Sequence, residues 1–218
     1  MKKEIALPDL DTAAPPRRRG RPRAFDRAAA LTIAMRMFWS KGYEATSILD
    51  LTAALGIAAP SLYAAFGSKD ALYAEALQHY HTTYEGLVWG RFQDAATARD
   101  AASAYLQSSA AALTGTLCDI PRGCMATLAA VGSDGHDELG VLMRTTREGA
   151  FTLLMERLEQ AVAAGELAPS VDIARLARFL QTVQSGMSIR ARDGADRAEL
   201  EGVAAMAMLA WDGLVKAS

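Results

Sequence analysis

Two groups of residues in this 218-residue chain have types and spacings that could do chemistry. The first is cationic and hydroxylated and lies toward the N-terminus. It starts with the arginines of PPRRRGRPRAF (Pro15–Phe25), Arg19, Arg21 and Arg23 among them, and continues with Thr46, Ser47, Tyr63 and Lys69. Guanidinium and ammonium groups bind phosphate oxygens, and hydroxyls at a helix N-terminus add to the grip of its free N–H groups. The second group is the pair of thiols, Cys118 and Cys124. Arg122, two residues from Cys124, favours a thiolate there and points to a redox or electrophile sensor; a buried, inert thiol is the alternative. A cysteine nucleophile would need a positioned base, and no phrase of sequence joins His79, His81 or His136 to either thiol. Enzymatic catalysis therefore ranks last, and no cofactor or metal is expected.

Charge placement supports an anionic partner. From Thr12 to Ser47 the chain carries eight Lys and Arg against two acids, Asp26 and Glu44, an excess of six positive charges. With a formal net charge of −2, the remainder carries an excess of eight negative charges. Hydrophobic residues at 51% and charged ones at 22% suit a folded soluble protein with a sizeable core. Two cysteines make no disulfide framework, the N-terminus lacks the apolar stretch of a signal peptide, and no run of about 18 apolar residues could span a membrane. The expectation is a cytoplasmic protein with no membrane partner.

The elements that must position the first group are helical. Asp26 caps a helix with Leu31, Met35, Phe38 and Trp39 at helical spacing, closed by Lys41-Gly42. Ser47 and Asp50 form a capping box for a second helix to about Leu55. Gly56 sits where a left-handed backbone turns sharply. Ala59-Pro60 open a third helix, with Leu62 and Phe66 inward, ended by Gly67. Ser68 caps a fourth that reaches about Trp89. The second and third helices are too short to persist alone in water, so tertiary packing must hold them. Two such helices joined by a glycine turn form a helix-turn-helix, with the outer face of the second presented to the DNA major groove.

FDRAAALTIAMRMFWSKGYEATSILDLTAALGIAAPSLYAAFGSKDAL resembles the DNA-binding region of TetR-type transcriptional regulators, over roughly residues 24–75. The marks are Phe38, Lys41, Gly42, Tyr43, Thr46 and Ser47, then Ala53, Leu55, Gly56 and Ile57, then Ser61, Leu62, Tyr63, Phe66, Ser68, Lys69 and Leu72. RGCMATLAA (Arg122–Ala130) resembles a phrase at the start of a ligand-domain helix in many members. The resemblance implies an all-α homodimer: a basic arm over 1–23, a helix-turn-helix domain over 24–70, and a ligand-binding and dimerisation domain over 71–218. It implies operator DNA and a small-molecule effector as partners, with the effector releasing a repressor from DNA. One departure is informative: many relatives carry His or Tyr where this chain has Ala65. The reading face is then Ala58, Ala59, Pro60, Ser61 and Ala64, nearly devoid of hydrogen-bond donors and without a bidentate Arg or Asn. Specificity must lean on shape. Arg19–Pro22, RGRP, resembles an AT-hook core suited to a narrow A·T minor groove; a solvated basic tail is the alternative.

The rest reads as helices over Asp100–Gly115, from Pro121-Arg122-Gly123 to about Gly132-Ser133, over Asp137–Ala164, from Pro169-Ser170 to Arg192, and over Asp196–Val215. Met187, Val203, Met206 and Ala210 are candidates for the dimer seam, with an internal core stripe as the alternative. Apolar candidates for a ligand pocket are Trp89, Phe92, Tyr105, Met125, Leu128, Met143 and Phe151; polar ones are His136, Arg144 and Arg147. A mainly apolar small molecule fits this set.

Overall fold

A computed structural model describes residues 25–129 and 136–216, and all described elements are helices. Arg19, Arg21 and Arg23 lie outside the described residues; the helix expected from Pro121-Arg122-Gly123 to about Gly132-Ser133 is a single turn, Met125–Leu128, because Ala129 turns to extended backbone. In chain order the helices are α1 (Arg27–Lys41), α2 (Ile48–Leu55), α3 (Ala59–Phe66), α4 (Lys69–Tyr84), α5 (Gly86–Gln93), α6 (Ala98–Leu113), α7 (Met125–Leu128), α8 (Asp137–Ala163), α9 (Ile173–Arg192) and α10 (Arg197–Lys216). Among the described residues no single helix is long and apolar enough to cross a membrane.

Local chemistry accounts for the early boundaries. Asp26 accepts from the N–H groups of Ala28 and Ala29, and the Ser47–Asp50 capping box closes in both directions. Gly56, at φ 66°, ends α2 with paired bonds from Gly56 N–H to Ala53 and from Ile57 N–H to Thr52. Two further boundaries differ from expectation. The helix from Ser68 breaks at Glu85, and α5 resumes at Gly86, whose freedom weakens the helix at that point. α9 begins at Ile173 rather than after Pro169, because Val171 is buried in a turn and Asp172 supplies the cap.

Two apolar cores divide the molecule. One joins Met35, Phe38 and Trp39 of α1 to Leu51, Leu62 and Phe66, the first half of α4, and Met125, Leu139 and Met143. The other lies among α5, α6 and α8–α10, around Tyr105, Leu106, Leu154, Leu180 and Trp211. Fully burying one such side chain contributes about 1.5–3 kcal/mol, which is what fixes helices as short as α2 and α3. Met187 belongs to the second core, 2% exposed, and does not stand on an outer seam. It shares its face of α9 with Leu180, Gln184 and Ala191, all turned inward. Val203, Met206 and Ala210 do stand outward on α10, with Leu209 beside them; Leu200, Ala204, Ala207 and Trp211 form the opposite, buried face.

Candidate nucleic-acid interface and ligand cavity

α2 and α3 meet at 94° across the Gly56 turn, within the range that presents a second helix to a groove. Leu62 and Phe66 anchor α3 inward, while Ala58, Pro60, Ser61, Tyr63 and Ala64 are exposed and Ala59 is half-buried. Ser47 is exposed at the start of α2. Lys69 lies in the first turn of α4 with its ammonium 4.0 Å from the centre of the Tyr43 ring. Thr46 departs from the expected phosphate grip. It is completely buried and its hydroxyl donates to the Gly42 carbonyl at 2.7 Å, bracing the turn between α1 and α2. Arg27 stitches the unit together through Glu75, the Ala65 carbonyl and the face of Phe66, against which Phe25 packs edge-on.

A cavity of about 310 Å³ opens behind this unit, at the lower end of the range for small-molecule sites. Trp39 of α1, Tyr80, His81 and Tyr84 of α4, and Val88 and Trp89 of α5 line it, with Tyr105 stacked on Trp89 at 4.8 Å. Gly123, Cys124, Ala126 and Thr127 come from the α6–α7 loop and α7; Thr146, Arg147 and Glu148 from α8; Arg178, Gln181, Gln184 and Ser185 from α9. Of the residues expected in a pocket, Trp89, Tyr105 and Arg147 line this cavity and the others do not. Phe92 packs edge-on behind Trp89. Met125 and Met143 are buried in the first core, where Tyr73 donates to the Met143 sulfur. Leu128 packs against Gly123. Phe151 carries the Arg178 guanidinium on its face, and Arg144 is exposed. His136 stands elsewhere, bonded to Asp70 at 3.1 Å and against the Tyr43 ring, tying the start of α8 to the start of α4. Tyr43 also donates to Asp70, which holds that carboxyl below the usual range.

Sequence reasoning missed Trp39, Tyr80, His81, Tyr84 and the polar stripe Gln181, Gln184, Ser185 and Ser188. The signal for that stripe was present: polar residues recur at helical spacing between Leu180, Met187 and Ala191, on a face otherwise apolar.

The cavity and the DNA-facing unit share covalent and hydrogen-bonded parts. The Trp39 indole N–H donates to the Gly123 carbonyl at 2.8 Å, so one cavity wall is tied to another. Arg192, near the end of α9, donates to the carbonyls of Trp39 at 2.7 Å, Ser40 at 3.0 Å and Arg122 at 2.9 Å. The first two are orphan acceptors in the last turn of α1, capped by a cation from the far domain. Cys124 N–H bonds the Ser188 hydroxyl at 2.8 Å, and the buried Tyr80 phenol, held protonated by burial, lies 3.3 Å from the Cys124 sulfur. Cys118 is exposed and away from the cavity.

Residues 30–76 match the family model described as bacterial regulatory proteins, tetR family. The chain is 36% identical over 200 residues to the transcriptional repressor ComR of Escherichia coli K12, spanning 91% of this chain and 94% of ComR. The chain belongs to the TetR family. BdcR, a second repressor from the same organism, is 29% identical over 201 residues, covering 86% of this chain and 90% of BdcR. Among solved structures, a cysteine-substituted form of the TetR family regulator CifR, bound to a 26-base-pair operator duplex, superposes with a TM-score of 0.81 at 38% identity. It covers 88% of this chain and 99% of its own. In this TetR protein the family match falls on α1–α4 and the cavity lies largely beyond it.

Proposed function

We propose that this protein is a homodimeric transcriptional repressor in the cytoplasm that binds operator DNA through α2 and α3 and is released when a small, mainly apolar molecule fills the cavity. The observation that carries the reading is the shared wall. Trp39 is both a cavity wall and part of the last turn of α1, and α1 packs on α2 and α4 and reaches α3 through Arg27. An occupant that favours one position of Trp39 or of the Gly123 loop biases the end of α1 through Arg192. A ligand shifts such an equilibrium only by its differential affinity for the two arrangements, and a wall shared with α1 provides that difference. Val203, Met206, Leu209 and Ala210 supply an apolar stripe for pairing with a second copy. DNA contact is assigned to Ser47, Ala59, Pro60, Ser61, Tyr63, Ala64, Lys69 and the arginine arm.

A second reading is favoured by one specific placement: Cys124, unlike Cys118, lines the cavity beside the Tyr80 hydroxyl. There the thiol would report electrophiles or oxidants that enter.

Selection of bound duplexes from a random pool with the full chain tests the first reading. The expected site is a pseudo-palindrome with half-sites one helical turn or more apart. Equal affinity for a lone half-site and the full site overturns the dimeric reading. Loss of effector response in Cys124→Ser, with operator binding kept, would replace non-covalent release by thiol chemistry.

A further inference from the structure

Two guanidiniums line the cavity, and among the described residues only one of them has a carboxylate of its own. Arg178 is held by both oxygens of Glu148, at 3.1 and 3.3 Å, on the exposed side. Arg147, half-buried on α8, has no described carboxylate within ion-pair distance. Its side-chain bonds leave from one nitrogen. Nη1 donates to the carbonyls of Ala126 at 3.3 Å and Ala129 at 3.4 Å, both longer than a well-formed N–H···O bond. Nε and Nη2, the other edge of the fork, have no acceptor among the described residues. Gln181 pins the same residue through its backbone, donating to the Arg147 carbonyl at 2.7 Å.

The other groups on the walls leave that charge standing. Glu85, the remaining carboxylate of the lining, is exposed at the α4–α5 break, where water and salt screen it. Burial lowers the pKa of His81, with Glu85 opposing, so the ring stays uncharged at neutral pH. Its Nε2 is buried and without a partner among the described residues. The α4 wall therefore adds an unsatisfied hydrogen-bonding atom but no second positive charge. The rings of Trp39, Tyr80, Tyr84, Trp89 and Tyr105 supply the apolar lining. A guanidinium beside such rings is costly to desolvate unless an anion meets it. One unmatched cation answers a monoanion; a phosphate dianion would bring a further charge with nothing to pair it. The volume of about 310 Å³ equals the share of about ten liquid waters, which suits a small acid.

We propose that the effector cavity selects a small aromatic carboxylate, and that Arg147 reads the carboxylate through Nε and Nη2. This rests on the reading of the cavity as an effector site. The planar fork meets the two oxygens with two parallel bonds, while the rings pack on the aromatic body. The same contact has a route to the DNA-facing unit. A carboxylate that draws Arg147 off the Ala126 and Ala129 carbonyls loosens α7. Gly123, two residues before α7, accepts from the Trp39 indole at 2.8 Å, so the change reaches the end of α1.

Three probes of one shape and different charge separate the terms: 2-naphthoate, 2-naphthamide and 2-naphthylmethylamine, titrated into the full-length protein by calorimetry. 2-Naphthoate is expected to bind tightest, ahead of each by roughly 10-fold or more. Arg147→Met should erase its lead over 2-naphthamide while 2-naphthamide still binds. Arg147→Gln, whose amide can still donate to an α7 carbonyl, repeats the test if the methionine variant does not fold. Titrating 2-naphthoate at about pH 7.5 in two buffers of different ionisation enthalpy should show no proton uptake, since Arg147 is charged throughout. Uptake approaching one proton would put the carboxylate on His81 and overturn the assignment. A native protein that does not favour 2-naphthoate, no binding by any of the three, or a lead unchanged in both variants overturns it too. Operator binding measured alongside keeps the two readings apart. If 2-naphthoate binds through Arg147 without weakening the operator complex, ligand release fails and the Arg147 assignment stands. If 2-naphthamide binds as tightly as 2-naphthoate and releases operator as readily, the reverse holds.

Discussion

The outer face of α3 and the cavity behind α1, the two proposed recognition surfaces, are opposite in kind. The first is exposed, built from Ala58, Pro60, Ser61 and Ala64, with one hydroxyl among them and the Tyr63 ring at its side. The second is a cavity open to solvent on one side, walled by aromatic rings and by polar groups of α8 and α9. A surface of methyls and methylenes against a water-filled groove gains little from direct hydrogen bonds, so its discrimination falls to shape and to thymine methyls. A desolvated cavity magnifies each polar match or mismatch. Hydrogen-bonding groups are thus sparse on the α3 face and converge instead in the cavity.

The comparison breaks first at the packing that makes the DNA face possible. Leu62 is completely buried beneath α3, so Leu62→Ala should destabilise the protein by about 2–5 kcal/mol and abolish operator binding at working temperature. Ser61→Ala, on the exposed side of the same turn, should leave the unfolding midpoint within about 0.5 kcal/mol of the native value. Chemical denaturation of both variants decides; equal losses would mean α3 is not held from beneath.

Next is the link between the two regions. Arg192→Ala strips three carbonyls of their donor, a loss of about 1–3 kcal/mol. Operator binding should persist while its response to a bound effector weakens. Hydrogen exchange at the end of α1 should rise in the variant. Unchanged exchange there would remove Arg192 as the connection.

The wet surface is sharpened by salt. Lys69→Ala should flatten the log–log dependence of operator affinity on salt by about one unit, and Tyr63→Phe should weaken binding nearly evenly across sequences. Arg19→Ala with Arg21→Ala should instead lower the preference for A·T over G·C flanks at one fixed salt concentration. An unchanged flank ratio makes the arm an electrostatic tether.

The smallest effect belongs to the cavity. Burial lowers the His81 pKa from 6.5, with Glu85 opposing. The unfolded chain then binds this proton more readily, so stability present above about pH 6.5 declines as pH falls below it. His81→Phe should reduce the slope of unfolding free energy against pH between 7 and 5. A slope identical in the variant would show that His81 binds its proton equally well in the folded and unfolded chain.

How much of this was legible in advance follows sequence separation. Asp26, Ser47 with Asp50, Gly56, Pro60 and Ser68 punctuate α1–α4 through bonds spanning at most five residues. Such bonds depend on spacing alone, and the exposed face of α3 followed from its apolar period. Thr46 was misjudged within that region because a hydroxyl at a helix start can turn outward to phosphate or back to a carbonyl, and only the packed loop chose Gly42. The cavity was read poorly. Phe92, Met125 and Met143 are apolar residues of the same types as its true walls, yet they point into cores.

By itself, then, the sequence determined the helix-turn-helix, the caps of its helices and the charge of the arm, since each is written in residues a few positions apart. Tertiary structure alone decided that Trp39 walls a cavity, that Arg192 caps a helix 153 residues away, and that Met187 is core while Met206 is surface. The reason is the amphipathic period itself. It says that one face of a helix is buried, but what it is buried against depends on how the helices cross, and closed cavities exist only where several of them fail to meet.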